Sequence, residues 1–378
     1  MIRRAKKAQA LASLLQDRRV IICCGSGGVG KTTTAAAIAL GAARGGKKVI
    51  VLTIDPAKRL ATALGLESLA SEPTEVPLRL KASEGGSGRL FAMMLDTKST
   101  FDRLIERHVV NPERRRSIIE NRLYQHMSSM IAGSQEYMAM EKLHELYEEG
   151  AYDLLVLDTP PTRHALDFLE APRKMINMTS NSLLEWFLKP GLFVGQAGLI
   201  GLGVLRKGAE KILSVFDRLA GFSFLHELSE MLALFSELLG GFQERARAVY
   251  DLLRRDFVGF LLVTSPASVA IQDALYFHRK IDQGGLPFLG FVVNRVHPEN
   301  FWKTSDLPSS WPDALRAKAI ARLEDYEQLA KRDRKAVALL KKMGGKKTAC
   351  ASIPLFEKDV HDLDGLSRMY QELVNSPM

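Results

Sequence analysis

The run Gly25-Ser26-Gly27-Gly28-Val29-Gly30-Lys31-Thr32 sets a lysine and a hydroxyl directly after a glycine-rich turn. The spacing G-x-x-x-x-G-K-[ST] is that of a phosphate-binding loop. A triphosphate needs several backbone N–H donors converging on its oxygens, and glycines allow both the backbone angles and the close approach. The start of a following helix adds donors and a favourable dipole. Lys31 is expected to reach the β- and γ-phosphates, and the Thr32 hydroxyl to ligate Mg²⁺. Nucleotide contacts are expected from Gly25 through Thr33, with ATP and Mg²⁺ as ligands.

Two acids at the ends of apolar runs complete the chemistry: Asp55 in Ile54-Asp55-Pro56-Ala57, and Asp158 in Leu157-Asp158-Thr159-Pro160-Pro161-Thr162. Carboxylates at the carboxyl edge of a parallel sheet stand where ligands bind in such folds. One can hold Mg²⁺, directly or through water, and one can orient the attacking water.

The elements that must position these groups follow from the pattern of apolar runs. Arg3–Leu15 reads as an amphipathic helix, Val20–Cys24 as a strand, and Lys31–Arg44 as an alanine-rich helix. Further strands are expected at Lys48–Ile54, Leu90–Leu95, Leu154–Leu157, Phe260–Val263, Phe288–Val293 and Ala351–Ile353. Continuous apolar strands separated by helical stretches predict an α/β fold, a P-loop nucleoside-triphosphatase with a mostly parallel doubly wound sheet. From 97 to 251 strand signals vanish apart from the Asp158 strand, and helical spacing takes over. A helical subdomain is therefore expected in two pieces, 97–150 and 165–252, with 1–96, 151–164 and 253–378 forming the ATPase core.

Composition bounds the rest. The chain has 378 residues, 46% hydrophobic and 25% charged, which excludes a disordered chain. Lysine and arginine total 52 against 43 acids, a net charge of +9 that favours anionic partners. Three cysteines cannot make a disulfide framework and suit a reducing compartment. Cys23 and Cys24, adjacent in a strand, read as buried thiols, as does Cys350. The longest apolar run, 190–205, is interrupted by Gln196 and is too short to span a bilayer, so the protein is not itself expected to be transmembrane. The segment 331–347 holds eight basic residues around Val337–Leu340 and reads as a solvated helix face.

The loop, the Asp55-Pro56-Ala57 turn and Asp158-Thr159-Pro160-Pro161-Thr162-Arg163-His164 resemble the ATPases of arsenite pumps and of tail-anchored membrane-protein targeting. Thr264-Ser265-Pro266, Val292-Val293-Asn294-Arg295, Ile353-Pro354-Leu355 and Gly133-Ser134-Gln135-Glu136 extend the resemblance over nearly the whole chain. It implies that Asp55 activates or orients water in a first switch and that Asp158 serves the Mg²⁺ network ahead of a second. It implies that Asn294, with Arg295 beside it, and the loop around Pro354 hold adenine. It also implies a dimer that opens and closes with nucleotide, either a homodimer or a heterodimer with a related ATPase.

Three departures from the family pattern stand out. A second loop lysine, which in the family reaches across the dimer to the partner's phosphates, is Ser26 here. Lys58 and Arg59 stand where the first switch usually carries histidine and a small polar residue, and Arg163 replaces a glycine. Phosphoryl transfer needs positive charge on the developing transition state, so Arg59 or Arg163 is expected to stand in for the missing lysine. The cysteines match neither the zinc-binding pair of the eukaryotic tail-anchor ATPases nor a metalloid or iron–sulfur site.

Met93 and Met94, then Met127, Met130, Met138, Met140, Met175 and Met178, with the glycine-rich apolar run 191–205, raise two readings: ordinary helical core, or a groove for an amphipathic or transmembrane helix. The leading expectation is a Mg-dependent ATPase with a nucleotide-driven dimer switch and a hydrophobic or membrane-associated client. It would act in the cytoplasm or peripherally at the inner membrane. The alternatives are the energising subunit of an anion efflux pump, a nucleic-acid partition ATPase, which the apolar helical insertion disfavours, and a nucleotide-gated binder without turnover.

Overall fold

The computed structural model describes residues 10–55, 58–78, 88–109, 111–121, 124–125, 134–160, 243–299, 304–345 and 348–376. Arg163, the turn at 161–164, the run 191–205 and Met127, Met130, Met175 and Met178 lie outside these residues.

The chain divides into two compact units. One holds Met1–Leu95, Leu143–Leu169 and Leu252–Met378, and the other Asp96–Lys142 and Glu170–Asp251. In the first unit an eight-stranded sheet carries the order β3-β4-β2-β5-β1-β6-β7-β8. Its strands are β1 Val20–Cys24, β2 Lys48–Thr53, β3 Thr74–Val76, β4 Arg89–Met94, β5 Leu154–Asp158, β6 Val258–Thr264, β7 Phe288–Val296 and β8 Ala349–Pro354. Every pairing is parallel except β3 with β4. β1, β5 and β6 are buried along their whole length, as strands covered on both faces must be.

β3 is absent from the sequence expectations. Pro73 and Pro77 bracket three residues there, which suits only a short edge strand. Its register is secured by a two-pronged bond across the pair, Arg89 Nε and Nη2 donating to Glu75 at 2.8 and 2.6 Å.

Helices α1 Ala10–Gln16, α2 Lys31–Arg44 and α3 Arg59–Ala63 belong to this unit, as do α7 Ser268–Gln283, α8 Asp313–Gly344 and α9 Leu363–Asn375. The alanines of α2 (Ala35, Ala36, Ala37, Ala39 and Ala43) let its backbone lie close to the sheet and to α9, in one core cluster with Leu366, Met369 and Leu373. Close approach goes furthest at Gly41, where a Cβ would fall 2.4 Å from the Tyr370 ring. Arg44 Nη1 donates to Ser367 Oγ at 2.6 Å and ties the end of α2 to α9.

The second unit contains α4 Thr97–His108 and α5 Pro112–Glu120; α6 Ser134–Glu149 begins in it and runs into the first. Asp96 caps α4 by accepting from Ser99 N, and Asn111 caps α5 by accepting from Glu113 N and Arg114 N. Arg245 Nε donates to the buried Glu141 carboxylate of α6 at 2.6 Å, an ion pair inside this unit. Met138 and Met140 of α6, like Met93 of β4, are fully buried. These three methionines are core and offer no surface to a client.

Candidate nucleotide site

The glycine loop joins β1 to α2, as its spacing requires. Gly25 has φ +152, and a Cβ there would sit 2.0 Å from Val263 O of the neighbouring strand β6. Gly30 has φ +96, and its missing Cβ makes room for the Asn294 amide, whose Nδ2 would be 2.3 Å away. Both positions need glycine for left-handed backbone and for contact distance at once. Thr34 N and Oγ1 both donate to Gly30 O at 2.9 Å, which seats the first turn of α2. Lys31 is buried and donates to Ser26 O at 2.8 Å, across its own loop. Burial lowers its pKa.

The two acidic strand ends are joined through hydroxyls. Asp158 Oδ2 accepts from Thr32 Oγ1 at 2.7 Å and from Thr53 Oγ1 at 2.9 Å. Thr53 Oγ1 in turn accepts from Asp55 N at 3.2 Å. A chain of hydrogen bonds therefore runs from the Asp55 backbone, through Thr53, to Asp158 and on to the loop's hydroxyl. Thr159 Oγ1 donates to Cys23 O at 2.8 Å and fastens the turn after β5 to β1. Asp158 is fully buried, and its pKa is pushed up to about 6: burial outweighs the two hydroxyls and Lys31. Its second oxygen, Oδ1, is buried without a hydrogen-bond partner among the described residues. An orphaned carboxylate oxygen beside a hydroxyl fits a bound cation or its water. Thr32 spends its one proton on Asp158, which leaves its lone pairs turned to such a cation.

A cavity of 550 Å³ opens over the loop. It is lined by Gly28, Gly30, Lys31, Thr32 and Thr33, by Asp55, Lys58, Arg59, Thr62 and Ala63, by Thr159 and Arg295, and by Val360 and His361. Arg59 Nη1 lies 3.6 Å from Asp55 Oδ2, with its side chain 64% exposed. Arg59 and Asp55 thus share the cavity with Lys31. Lys58, the other basic departure of the first switch, joins them, as does His361, which was not anticipated; an isolated histidine far along the chain carries no spacing signal. Thr53 was also missed, because a threonine ending an apolar strand is common.

Asn294 and Pro354 are not lining residues of the cavity. Asn294 Nδ2 donates to Val29 O at 3.0 Å while its Oδ1 accepts from Arg295 N at 2.9 Å, so the side chain ties the loop to the end of β7. Arg295, with φ +59, turns the chain toward the cavity it lines. Pro354 ends β8 in register with Val296 and is not a lining residue of the cavity. Cys23, Cys24 and Cys350 are free thiols and all buried. Among the described residues no group of three or more histidine, cysteine or acidic side chains is placed to hold a metal ion, and no helix is long and apolar enough to cross a membrane.

A glycine loop wired to acids at the ends of two parallel strands defines a nucleotide-hydrolysing P-loop protein. Comparison with known proteins narrows the class. The profile of the anion-transporting ATPases matches residues 18–333, and the chain belongs to that family. It is 31% identical over 341 residues to ATPase ASNA1 homolog 1 of Paramecium tetraurelia, covering 89% of this chain and 85% of the relative. ATPase ASNA1 homolog 2 of the same organism is 30% identical over 341 residues, covering 89% and 86%. ATPase GET3 of Malassezia globosa is 32% identical over a shorter 134 residues, 35% of this chain and 36% of that protein. The protein is an ATP hydrolase, and nucleotide is its substrate.

Proposed function

We propose that this ATPase hydrolyses Mg²⁺-ATP and uses the nucleotide state of a dimer to take up and release a hydrophobic or membrane-associated client in the cytoplasm. The observation that carries the reading is the relay Asp55–Thr53–Asp158–Thr32, which links both acidic strand ends to the phosphate loop. Thr32 would ligate Mg²⁺, with Asp158 orienting that hydroxyl and Asp55 facing the water. The metal would neutralise phosphate charge in the transition state. Lys31 would leave Ser26 O for the β- and γ-phosphates. Arg59 would supply in cis the cation that Ser26 does not, turning from Asp55 to the γ-phosphate. The unit of 96–142 and 170–251 would carry the client.

The test is turnover of the purified full chain across protein concentration, with Lys31→Ala as blank and Mg²⁺ present or chelated. Turnover per molecule that rises with concentration and vanishes with chelation supports the dimeric Mg²⁺-ATPase. Turnover independent of concentration removes the dimer from the cycle, and turnover that survives chelation removes the metal. Client handling is tested by nucleotide-dependent capture of a single apolar transmembrane-helix peptide; equal capture with ATP and with ADP refutes it.

A further inference from the structure

Helix α8 runs for 32 residues, yet it buries only Ala330, Asp333 and Leu340. These three fall on one side of its C-terminal half, toward the sheet edge at β7 and β8. Asp333 is fixed there, accepting from His297 N at 3.0 Å and from Arg332 at 3.0 Å. At 100° per residue, the opposite side of the same turns carries Lys331, Lys335, Leu339, Lys342 and Met343. Leu339 is 43% exposed and Met343 52% exposed. Asp333 is the single acid between 331 and 344, and it faces inward. Lys331 meets Glu327 at 2.9 Å, one turn back, where the acids Glu324, Asp325 and Glu327 end the basic stripe.

A solvated helix face, the plain reading of this segment, accounts for the lysines but not for two large apolar side chains set among them. The helix dipole accounts for Lys341 and Lys342 in the last turn but not for cations placed two and three turns earlier. Cations flanking exposed apolar residues on one helix face are what an anionic lipid surface takes: the ammonium groups meet headgroup phosphates, and the apolar side chains enter the boundary beneath. Nucleic acid would use the cations alone. We propose that the C-terminal half of α8 docks the protein on anionic lipid. This surface shares no residue with the lining of the nucleotide cavity.

The experiment is flotation of the full-length protein with vesicles of phosphatidylcholine alone, or mixed with about one-third phosphatidylglycerol. Expected is flotation with the anionic vesicles only. It should fall about tenfold in Lys335→Glu/Lys342→Glu and severalfold in Leu339→Ser/Met343→Ser, with ATP turnover in vesicle-free buffer unchanged in both. Four outcomes would each overturn the proposal: no flotation, equal flotation with neutral vesicles, flotation indifferent to charge reversal, or flotation indifferent to the serine pair. Tight binding of a DNA duplex, lost in the lysine pair but kept in the serine pair, would assign the face to nucleic acid instead.

Discussion

Thr32 and Asp158 stand 126 residues apart in the chain and 2.7 Å apart in the fold. The contact joins the loop that takes phosphate to the end of β5. Because Asp158 is buried with its pKa raised to about 6, it is costly to keep ionised in the empty protein. An unfolded aspartate titrates near 4, so between about pH 4 and 6 the folded state holds the proton that the unfolded state has released, and stability falls as pH rises through that window. Asp158→Asn should therefore stabilise the metal-free, nucleotide-free protein at pH 7 by about 1–3 kcal/mol, with the gap closing toward pH 4. ATP turnover should be lost. Thermal melting of both proteins in chelator across pH checks this; a destabilised Asn variant at pH 7 would contradict it.

Thr53 bridges the two acids. Thr53→Val keeps the shape but leaves Asp158 one donor short and Asp55 N without its acceptor. The expected cost is about 1–2 kcal/mol, with reduced turnover at unchanged nucleotide affinity. Urea unfolding and ATP titration measure the two effects separately.

If Arg59 supplies transition-state charge, Arg59→Ala should lower kcat by about a hundredfold or more while moving KM little. Arg59→Lys should recover part of the rate. Because the Arg59 side chain is 64% exposed and lies 3.6 Å from Asp55 Oδ2, neither change should shift the melting temperature by much. Normal kcat in the alanine variant would remove Arg59 from the chemistry.

Gly30 and Asn294 are coupled by contact. Gly30→Ala would force a Cβ onto the Asn294 amide at a left-handed position, costing about 1–3 kcal/mol and weakening ATP binding. Asn294→Ala removes the clash but not the strain, so the double variant should bind better than the sum of the single effects predicts. Strict additivity would show that the Gly30 position and the Asn294 amide are not coupled by contact.

Burial raises the pKa of Cys24 to about 12 and of Cys350 to about 11, and Cys23 well above the usual thiol range. Thiol reagents at pH 8 should leave all three unmodified in the native protein and label all three in denaturant. Rapid native labelling of any of them would contradict the buried placement.

The sequence made the glycine loop and the sheet around it readable, because that chemistry tolerates few substitutions and apolar strands advertise themselves. Val20–Cys24 and Lys31–Arg44 fall where they were expected. Three things were hidden for physical reasons. β3 is too short to show a period and is bracketed by prolines. Helix α8 carries too few buried residues for an apolar stripe to mark its length. The role of Thr53 depends on a partner 105 residues away, which no local pattern encodes. The methionines left two readings open, since Met138 and Met140 suit core as well as they suit a pliable surface, and their burial places these two in core.

The packing of α9 against α2 has a consequence for synthesis. The helix that opens at Lys31 is translated early, but the partner that covers it ends at Asn375. Until Leu366, Met369 and Leu373 have left the ribosome, the alanine face beside the phosphate loop has no lid. ATP capture by a nascent chain should therefore begin only once α9 has emerged, which makes nucleotide binding a readout of the contact between α2 and α9.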